Sequence, residues 1–425
     1  MTPSVQAGRR GQLGELPAHW KVMSLKWLAS LRSGEAITSE SIQSDGKFPV
    51  YGGNGLRGFA DAHTHNGHFV LIGRQGALCG NVNFAAGQFW ASEHAVVVAP
   101  RTVVNVRWLG ELLRTMNLNQ YSVAAAQPGL AVERIVDLRV PVPPLAEQNA
   151  IGSLIDRETA RIDALIEKKT RFIELLREKR QALVTEAVTF GMDSKAPRRP
   201  TGIDWLGSIP SHWAVRPLKY IAAVQTGVAK GKDYAGVETQ EVPYLRVANV
   251  QDGFLDLGDV ATIEVAASEV GRYLLRAGDV LMNEGGDFDK LGRGHVWQGE
   301  IHRCIHQNHV FAVRPTRVTS EWLNVFTGSK PAQFHFMARS KQSTNLASIS
   351  SSNLMELMVP IPPPAEQGNI LRALALKLER ADALRDATER SLVLLRERRA
   401  AVITAAVTGQ IDARTEQLAE AVEPA

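Results

Sequence analysis

The chain contains the same sequence pattern twice, and this internal repeat limits the folds that it can adopt. The segment Val140-Pro-Val-Pro-Pro-Leu-Ala-Glu-Gln148 returns as Val359-Pro-Ile-Pro-Pro-Pro-Ala-Glu-Gln367, an offset of 219 residues (359 − 140). A second pair, Leu13-Gly-Glu-Leu-Pro-Ala-His-Trp20 and Leu206-Gly-Ser-Ile-Pro-Ser-His-Trp213, has an offset of 193 residues (206 − 13). The segment between these repeated elements is therefore 26 residues longer in the second copy (219 − 193). Repeats this far apart indicate a duplicated domain with its helix, because solenoid units span only roughly 20 to 50 residues.

Each proline-rich strip leads into a long helical pattern. Apolar residues recur at steps of three and four from residue 153 to 190 without Gly or Pro between them, and Gly191 and Gly409 predict where the two helices end. About 43 residues at 1.5 Å each form a rod of roughly 60 to 65 Å. Because the apolar stripe is narrow, we expect each rod to pack antiparallel against its own repeat about a pseudo-two-fold axis, with its charged residues on a solvated face.

The segments between the helices are typical of mixed helix and sheet domains. Short apolar runs alternate with Gly, Asn and His clusters at residues 69–72, 95–98, 242–250, 279–282 and 309–313. The predicted fold class is α+β, with two mixed α/β domains separated by two long antiparallel helices that form a coiled coil. The predicted boundaries are a first domain at 1–139, its repeated region and helix at 140–192, a linker at 193–212, a second domain at 213–358, its repeated region and helix at 359–412, and a tail at 413–425.

Length and composition limit the class of protein further. A chain of 425 residues is too long for one core, so two or more domains are expected. The net charge of +4 is compatible with nucleic-acid binding. Cys79 and Cys304 have no neighbouring ligand residues, so we expect two buried, reduced thiols and no zinc site. The polar N-terminus and the absence of an apolar run of about 18 residues predict a soluble, cytoplasmic protein.

Two local motifs each have two interpretations. The letters Gly53-Asn-Gly-Leu-Arg-Gly58 match a dinucleotide-binding fingerprint, but turn-forming residues follow where that fold needs a helix. A glycine-rich turn that brings Asn54 and Arg57 toward a partner is the favoured interpretation. The histidines His63, His65 and His68 could ligate a metal, but no carboxylate or thiolate completes the set, so a solvated loop is favoured.

The motifs of common catalysts are missing from the sequence. Glu167-Lys168-Lys169 has the letters of a nuclease site, yet it lies inside the predicted rod and the chain has no Pro-Asp dipeptide. There is no phosphate-binding GxxxxGK loop, no GxSxG, no HExxH and no Asn-Pro-Pro-Tyr tetrapeptide of base-amino methyltransferases. We therefore predict a non-catalytic reader with no catalytic and no metal-binding residues.

The polar loops of both domains contain residue types that read base edges. Arg and Lys address guanine, and Asn and Gln address adenine, through paired hydrogen bonds in the major groove. The candidate DNA-binding residues are Asn54, Arg57, Arg74, Gln75, Asn81 and Asn83 in the first domain, and Arg246, Asn249, Gln251, Asn283, Arg293, Lys341, Gln342 and Asn345 in the second.

Taken together, these features resemble the specificity subunit of type I restriction-modification systems, over essentially the whole chain. The resemblance rests on the paired Pro-Pro-x-Ala-Glu-Gln strips at 143–148 and 362–367, and on the Ala-Val-Thr ends of the helices at 187–189 and 406–408. It rests also on Ile209-Pro-Ser-His-Trp213 and on Phe48-Pro-Val-Tyr-Gly-Gly-Asn-Gly55.

The resemblance implies a function for each part of the chain. The two domains are implied to be target-recognition domains, each reading one half of a bipartite, asymmetric double-stranded DNA target, with half-site centres on the order of one DNA turn apart. The implied partners are two modification subunits, which bind S-adenosylmethionine and methylate adenine N6, with or without two restriction subunits. The chain itself is implied to bind no cofactor. The alternatives are a self-contained DNA methyltransferase or nuclease, and a coiled-coil scaffold without a DNA role.

Overall fold

Two long helices and two sheet-containing domains make up the fold. A computed structural model describes residues 16–122, 129–193, 195–286, 288, 291–342 and 347–414. The chain divides into a first unit, Met1–Thr170 with Arg390–Ala425, and a second unit, Arg171–Glu389. This division passes through both long helices, so each unit holds one domain and a part of each helix.

The strands of the first unit are β1 (Lys21–Ser24), β2 (Ala29–Ser33), β3 (Phe48–Gly52), β4 (Gly55–Ala60), β5 (His65–Gly73), β6 (Val82–Ala91), β7 (Ala95–Pro100) and β8 (Arg139–Val142). Its helices are α1 (Leu25–Leu28), α2 (Val106–Thr115), α3 (Val132–Ile135) and the beginning of α4 (Leu145–Phe190). Six strands form a sheet in the order β2-β7-β5-β6-β3-β4. Neighbouring strands are antiparallel except β3 and β6, which are parallel, and β1 pairs separately with β8.

The core of the first unit lies between this sheet and α2. Trp108 and Leu112 of α2 are buried against Val70 and Val98 of the sheet. Apolar residues of the two long helices complete the same cluster, namely Ala150, Ile151, Leu154, Ile155, Ile403, Ala406 and Val407. Burial of such side chains stabilises the fold by about 1.5 to 3 kcal/mol each.

The strands of the second unit are β9 (Arg198–Pro200), β10 (Ser208–Pro210), β11 (Ala214–Pro217), β12 (Ala222–Thr226), β13 (Thr239–Leu245), β14 (Ala261–Ala266), β15 (Val280–Asn283), β16 (Gly285–Gly286), β17 (Gly294–Val296), β18 (Ile305–His306), β19 (Val310–Pro315), β20 (Lys341–Gln342), β21 (Ala347–Ser348) and β22 (Met358–Ile361). Its helices are α5 (Ala267–Tyr273), α6 (Ser320–Thr327), α7 (Lys330–Arg339), α8 (Ser351–Met355) and the beginning of α9 (Pro364–Val407). The sheets are ordered β12-β19-β15-β17, β14-β13-β18 and β16-β21-β20, with the pairs β10-β9 and β11-β22.

The two domains repeat one close backbone approach at an offset of 193 residues (227 − 34). A Cβ atom at Gly34 would overlap the carbonyl oxygen of Ala91, and one at Gly227 would overlap that of His306. Isolated parallel bridges follow at the next residues, where Glu35 pairs with Ser92 and Val228 pairs with Gln307. Glycine is therefore required at both positions by the same contact.

The repeated Ala-Glu-Gln segments anchor each long helix to its domain. At the start of α4, the carboxylate of Glu147 accepts hydrogen bonds from Trp20 Nε1 over 3.0 Å and pairs with His19 Nε2 over 2.8 Å. The second unit repeats both contacts at the same distances through Glu366, Trp213 and His212. The sequence repeat is thus explained by a repeated set of contacts.

The glutamine of each segment makes a second anchor. Gln148 Oε1 accepts a hydrogen bond from the backbone N–H of Asn105 over 3.0 Å, at the N-terminus of α2, and its amide donates to Pro143 O. In the second unit Gln367 Oε1 accepts from the backbone N–H of Thr319 over 3.1 Å, at the N-terminus of α6. Asn105 and Thr319 also cap these helices with their side chains. Each glutamine therefore joins a long helix to the first turn of a domain helix.

Within each unit the long helices run antiparallel, as predicted. In the first unit Arg399 of α9 makes two hydrogen bonds to Asp163 of α4, over 2.8 and 3.2 Å. In the second unit Arg180 of α4 lies 3.4 Å from Asp382 of α9. The predicted fold class is confirmed by these helices and by the mixed content of both domains.

The ends of the helices also match the prediction, but the apolar stripe is narrower. The residues after them, Gly191 and Gly409, have φ of 71° and 74°, the left-handed conformation that favours glycine at a helix end. Leu165 and Phe172 fit the predicted stripe yet are 41% and 39% exposed.

Both cysteines are free and buried, as predicted. Of the predicted tail, Ala413 is buried in the core of the first unit, and residues 415–425 lie outside the described residues. In the described part of the chain, no helix is both long and apolar enough to cross a membrane.

Candidate nucleic-acid interface

A cavity of about 650 Å³ lies in the first domain, beside the hairpin of β3 and β4. Asn54 and Arg57 reach it from the hairpin, Gln75 from the loop after β5, and His94 from the turn before β7. The predicted glycine-rich turn is therefore a β-hairpin turn, and it brings three of the sequence candidates to one surface. Backbone of Gly53, Gly55 and Gly76 lines the same cavity, which leaves room for a ligand close to the main chain.

The polar side chains at this cavity keep hydrogen-bonding capacity for a partner. The aliphatic part of Arg57 lies across Gly52, and its guanidinium has no ion-pair or hydrogen-bond partner in the described ranges. The side chain of Gln75 is exposed and likewise unpaired within them. A free guanidinium presents donors in a fixed fork that matches the two acceptors of a guanine edge.

The remaining candidates of the first domain lie next to the cavity. Asn81 donates to Asn54 Oδ1 over 3.0 Å, which fixes the orientation of both amides. Asn83 approaches Gly55 with its Oδ1, and its Nδ2 is buried without a partner. Arg74 is half-buried at the start of the loop, where its backbone N–H donates to His94 O. All six candidates of this domain are therefore gathered in one region.

In the second domain, several candidates hold one loop in place. Asn249 is buried; its Oδ1 accepts from the Arg246 N–H over 2.8 Å, and its Nδ2 donates to the carbonyls of Asp256 and Asp259, each over 2.9 Å. Arg246 also pairs with the carboxylate of Asp259 over 2.9 Å. The Asn249 side chain is thus used inside the domain and presents no polar atom to a base.

Three further candidates border the same loop. Asn283 Nδ2 donates to Val250 O over 2.8 Å, Gln251 Nε2 donates to Ala248 O over 2.7 Å, and Arg293 lies 3.8 Å from Asp252. These contacts order residues 246–259 into a shaped loop, so these side chains act at least as its supports.

The last three candidates follow α7. Lys341 and Gln342 are exposed on β20, with no side-chain partner in the part of the chain that the structure describes. Asn345 lies outside the described residues.

A second cavity, of about 470 Å³, was not selected from the sequence. Lys230, Lys232 and Tyr234 line it. Lys232 pairs with Glu269 over 3.2 Å and its Nζ lies 5.8 Å from the centre of the Tyr273 ring. Burial raises the pKa of the Tyr234 hydroxyl, which has no hydrogen-bond partner. The available signal was the run Lys230-Gly-Lys-Asp-Tyr234, since basic residues beside an aromatic one are typical of loops that contact nucleic acid.

The three histidines of the metal interpretation pack against aromatic rings. His63 lies 4.7 Å from the ring of Phe48, and His65 stacks on Phe89 at 5.4 Å. His65 begins β5 and is half-buried, which lowers its pKa, so the predicted solvated loop is wrong for this residue. Among the residues described, no group of three His, Cys, Asp or Glu side chains could hold a metal ion.

Comparison with known proteins gives a family match in the first part of the chain. Residues 17–175 match the family described as Type I restriction modification DNA specificity domain. The chain is 40% identical over 154 residues to the Type I restriction enzyme EcoprrI specificity subunit of Escherichia coli, which covers 35% of each chain. It is 24% identical over 287 residues to the EcoKI specificity subunit of Escherichia coli strain K12, covering 65% of this chain and 58% of that relative. These alignments thus span about a third and somewhat more than half of the relatives' lengths.

Two solved structures share the fold. A chain of a type I R-M system, solved in work on its complex assembly and conformational transition, superimposes with a TM-score of 0.69 at 16% identity, covering 94% of this chain and 100% of that one. The HsdS subunit from Thermoanaerobacter tengcongensis superimposes with a TM-score of 0.51 at 16% identity, covering 94% and 99%. At this level of identity the likeness concerns the fold alone.

Proposed function

We propose, from the premise that this chain belongs to the family of type I restriction-modification specificity subunits, that it recognises a bipartite, asymmetric DNA sequence with one domain for each half-site. One observation carries the proposal: the anchoring contacts of Glu147 and Glu366 are the same, whereas the domains that they anchor differ in length and polar residues. A repeated frame with two different domains fits a target with two different halves.

The surfaces of the two domains support different modes of reading. The first domain offers a cavity with the free side chains of Arg57 and Gln75, which fits direct contact with base edges. The second offers the ordered loop 246–259, the exposed Lys341 and the cavity beside Lys230 and Lys232. Lysines at such positions suit phosphate contacts, which position a protein on DNA without reading its sequence.

In this proposal the chain supplies the choice of sequence and its partners supply the chemistry. Two modification subunits, each holding S-adenosylmethionine, methylate adenine N6, and restriction subunits join them when the complex cleaves DNA. This chain binds no cofactor of its own and acts in the cytoplasm. The names of its relatives as specificity subunits of restriction enzymes support this division of labour.

The proposal is tested by expressing the chain with its cognate modification subunit and mapping methylated adenines by single-molecule sequencing. We expect one bipartite motif with an unspecified spacer. Replacing residues 23–139 by the corresponding segment of another family member should change one half-site and leave the other intact. A change in both half-sites overturns the modular reading, and methylation by the purified chain alone favours a self-contained enzyme. An unchanged motif after the polar loops are scrambled favours a scaffold without a DNA role.

A further inference from the structure

We propose that an exposed aromatic patch, present once in each unit, is the docking surface of a modification subunit, with one copy of that subunit on each patch. The aromatic patch consists of Trp27, Lys26 and Asp137 in the first unit and of Tyr220, Lys219 and Glu356 in the second. This inference rests on the proposed function, because that function requires a modification subunit.

In the first unit, the patch is built on the short helix α1. Trp27 is 68% exposed, although its neighbours Leu25 and Leu28 are buried in the core. Lys26 Nζ lies 2.7 Å from Asp137 and 5.9 Å from the centre of the Trp27 ring. The ring therefore projects from a rigid position while its flanking charge is neutralised.

The second unit has the same arrangement after β11. Tyr220 is 63% exposed, beside the buried Leu218. Lys219 Nζ lies 2.7 Å from Glu356 and 5.4 Å from the centre of the Tyr220 ring. The hydrogen bond to Glu356 raises the pKa of Lys219, so the pair stays charged on both sides near neutral pH.

The two patches occupy equivalent positions of the repeat. The offset is 193 residues for the aromatic residues (220 − 27) and 219 for the acidic ones (356 − 137), the two offsets of the frame. The supporting backbone bond also recurs, since Leu25 N–H donates to Leu138 O over 2.9 Å and Leu218 N–H donates to Leu357 O over 2.8 Å.

The fold itself gives no reason for these aromatic rings. An aromatic side chain that is about two-thirds exposed adds little to a core, and one such residue alone would need no explanation. Its recurrence at the equivalent position, in a chain whose domains differ, indicates contact with something that is the same at both units. Two copies of one partner meet that condition.

The chemistry of the patch favours a protein over DNA. Phosphate binding requires uncompensated positive charge, but each lysine is already paired with a carboxylate at 2.7 Å. Trp and Tyr are enriched in the energetic centres of protein interfaces, where a ring gives a large contact area and polar groups lie around it. The partner that fits is therefore a protein surface with an apolar pocket for the ring.

The test compares Trp27→Ala, Tyr220→Ala and the double variant with the wild-type chain. Each is mixed with purified modification subunit, and native mass spectrometry and a titration give the stoichiometry and affinity. We expect two modification subunits per wild-type chain, one tightly bound subunit for each single variant, and at least a tenfold loss of affinity at both sites in the double variant. Phe334→Ala is the matched control, since Phe334 is 58% exposed on α7 and its position in the repeat has no aromatic counterpart in the first unit.

The outcomes separate this inference from the function on which it rests. Thermal unfolding of each variant should match the wild type, because exposed rings are removed. Wild-type binding of both subunits by the double variant overturns the inference alone. So does a normal assembly whose affinity for DNA falls, because the patch is then a DNA contact. A wild-type chain that binds no modification subunit overturns the proposed function together with the inference.

Discussion

The carboxylate of Glu147 accepts a hydrogen bond from the indole Nε1 of Trp20 over 3.0 Å, across 127 residues of sequence. Both residues are buried, and the bond joins the first turn of α4 to the segment that precedes β1. Glu366 and Trp213 make the equivalent bond in the second unit. The side chain of Glu366 is 31% exposed, however, against 6% for Glu147.

This difference predicts unequal effects of the same substitution. Glu147→Ala should destabilise the first unit by about 1 to 3 kcal/mol, because it leaves a buried indole N–H without an acceptor. Glu366→Ala is its matched control and should lower stability by less, since water can replace the lost carboxylate. Hydrogen exchange, followed separately in the two units, measures both effects. Equal losses would show that exposure does not set the cost.

A second prediction concerns Arg57 and the bases that it reads. Arg57→Ala should relax the choice of base at one position of one half-site and weaken binding by about 1 to 3 kcal/mol, the range for one paired contact with guanine. Arg57→Lys should keep part of the affinity but lose the same discrimination, because lysine lacks the planar fork. Methylation sequencing of both variants gives the result, and the other half-site is the internal control. An unaltered motif in both variants would remove Arg57 from the interface.

A third prediction concerns the close approach at Gly34 and Gly227. Alanine at either position should destabilise its own unit by about 1 to 3 kcal/mol, because the added methyl group overlaps a carbonyl oxygen and forces the backbone to move. Gly271→Ala in α5 is the control, since nothing lies within 4 Å of the added Cβ. That variant should be neutral or more stable by up to about 1 kcal/mol, given the better helix propensity of alanine. Urea denaturation of the three variants compares them, and similar midpoints for all three would contradict the prediction.

A fourth prediction concerns the pH dependence of stability. Burial raises the pKa of the Cys304 thiol from 9.0 to about 12. Between these values the unfolded chain loses the thiol proton while the folded chain keeps it, so stability falls as pH rises. The wild type should therefore lose stability more steeply than Cys304→Ala between about pH 9 and pH 12. Parallel slopes for the two proteins, measured by denaturation at several pH values, would show that the thiol titrates alike in both states.

The sequence predicts local features well and the direction of side chains poorly. The helix ends at Gly191 and Gly409 were predictable, because a long 3.6-residue period stops at a residue suited to left-handed backbone. The exposure of Leu165 and Phe172 was not, since periodicity defines a helix face but not how much of it a partner helix covers. Asn249 has a residue type that reads adenine, yet its amide points inward to hold a loop, and residue type alone does not distinguish the two uses.

The anchors made by Gln148 and Gln367 have a consequence for how such chains can vary. Each glutamine binds a backbone N–H at the start of a domain helix, of Asn105 in one unit and of Thr319 in the other. A backbone donor is supplied by every residue except proline. The anchor is therefore indifferent to the side chain at that position, and a recombination event that brings in an unrelated domain with the same helix start preserves it. New recognition sequences can thus arise by exchange of whole segments, without compensating substitutions at these two bonds.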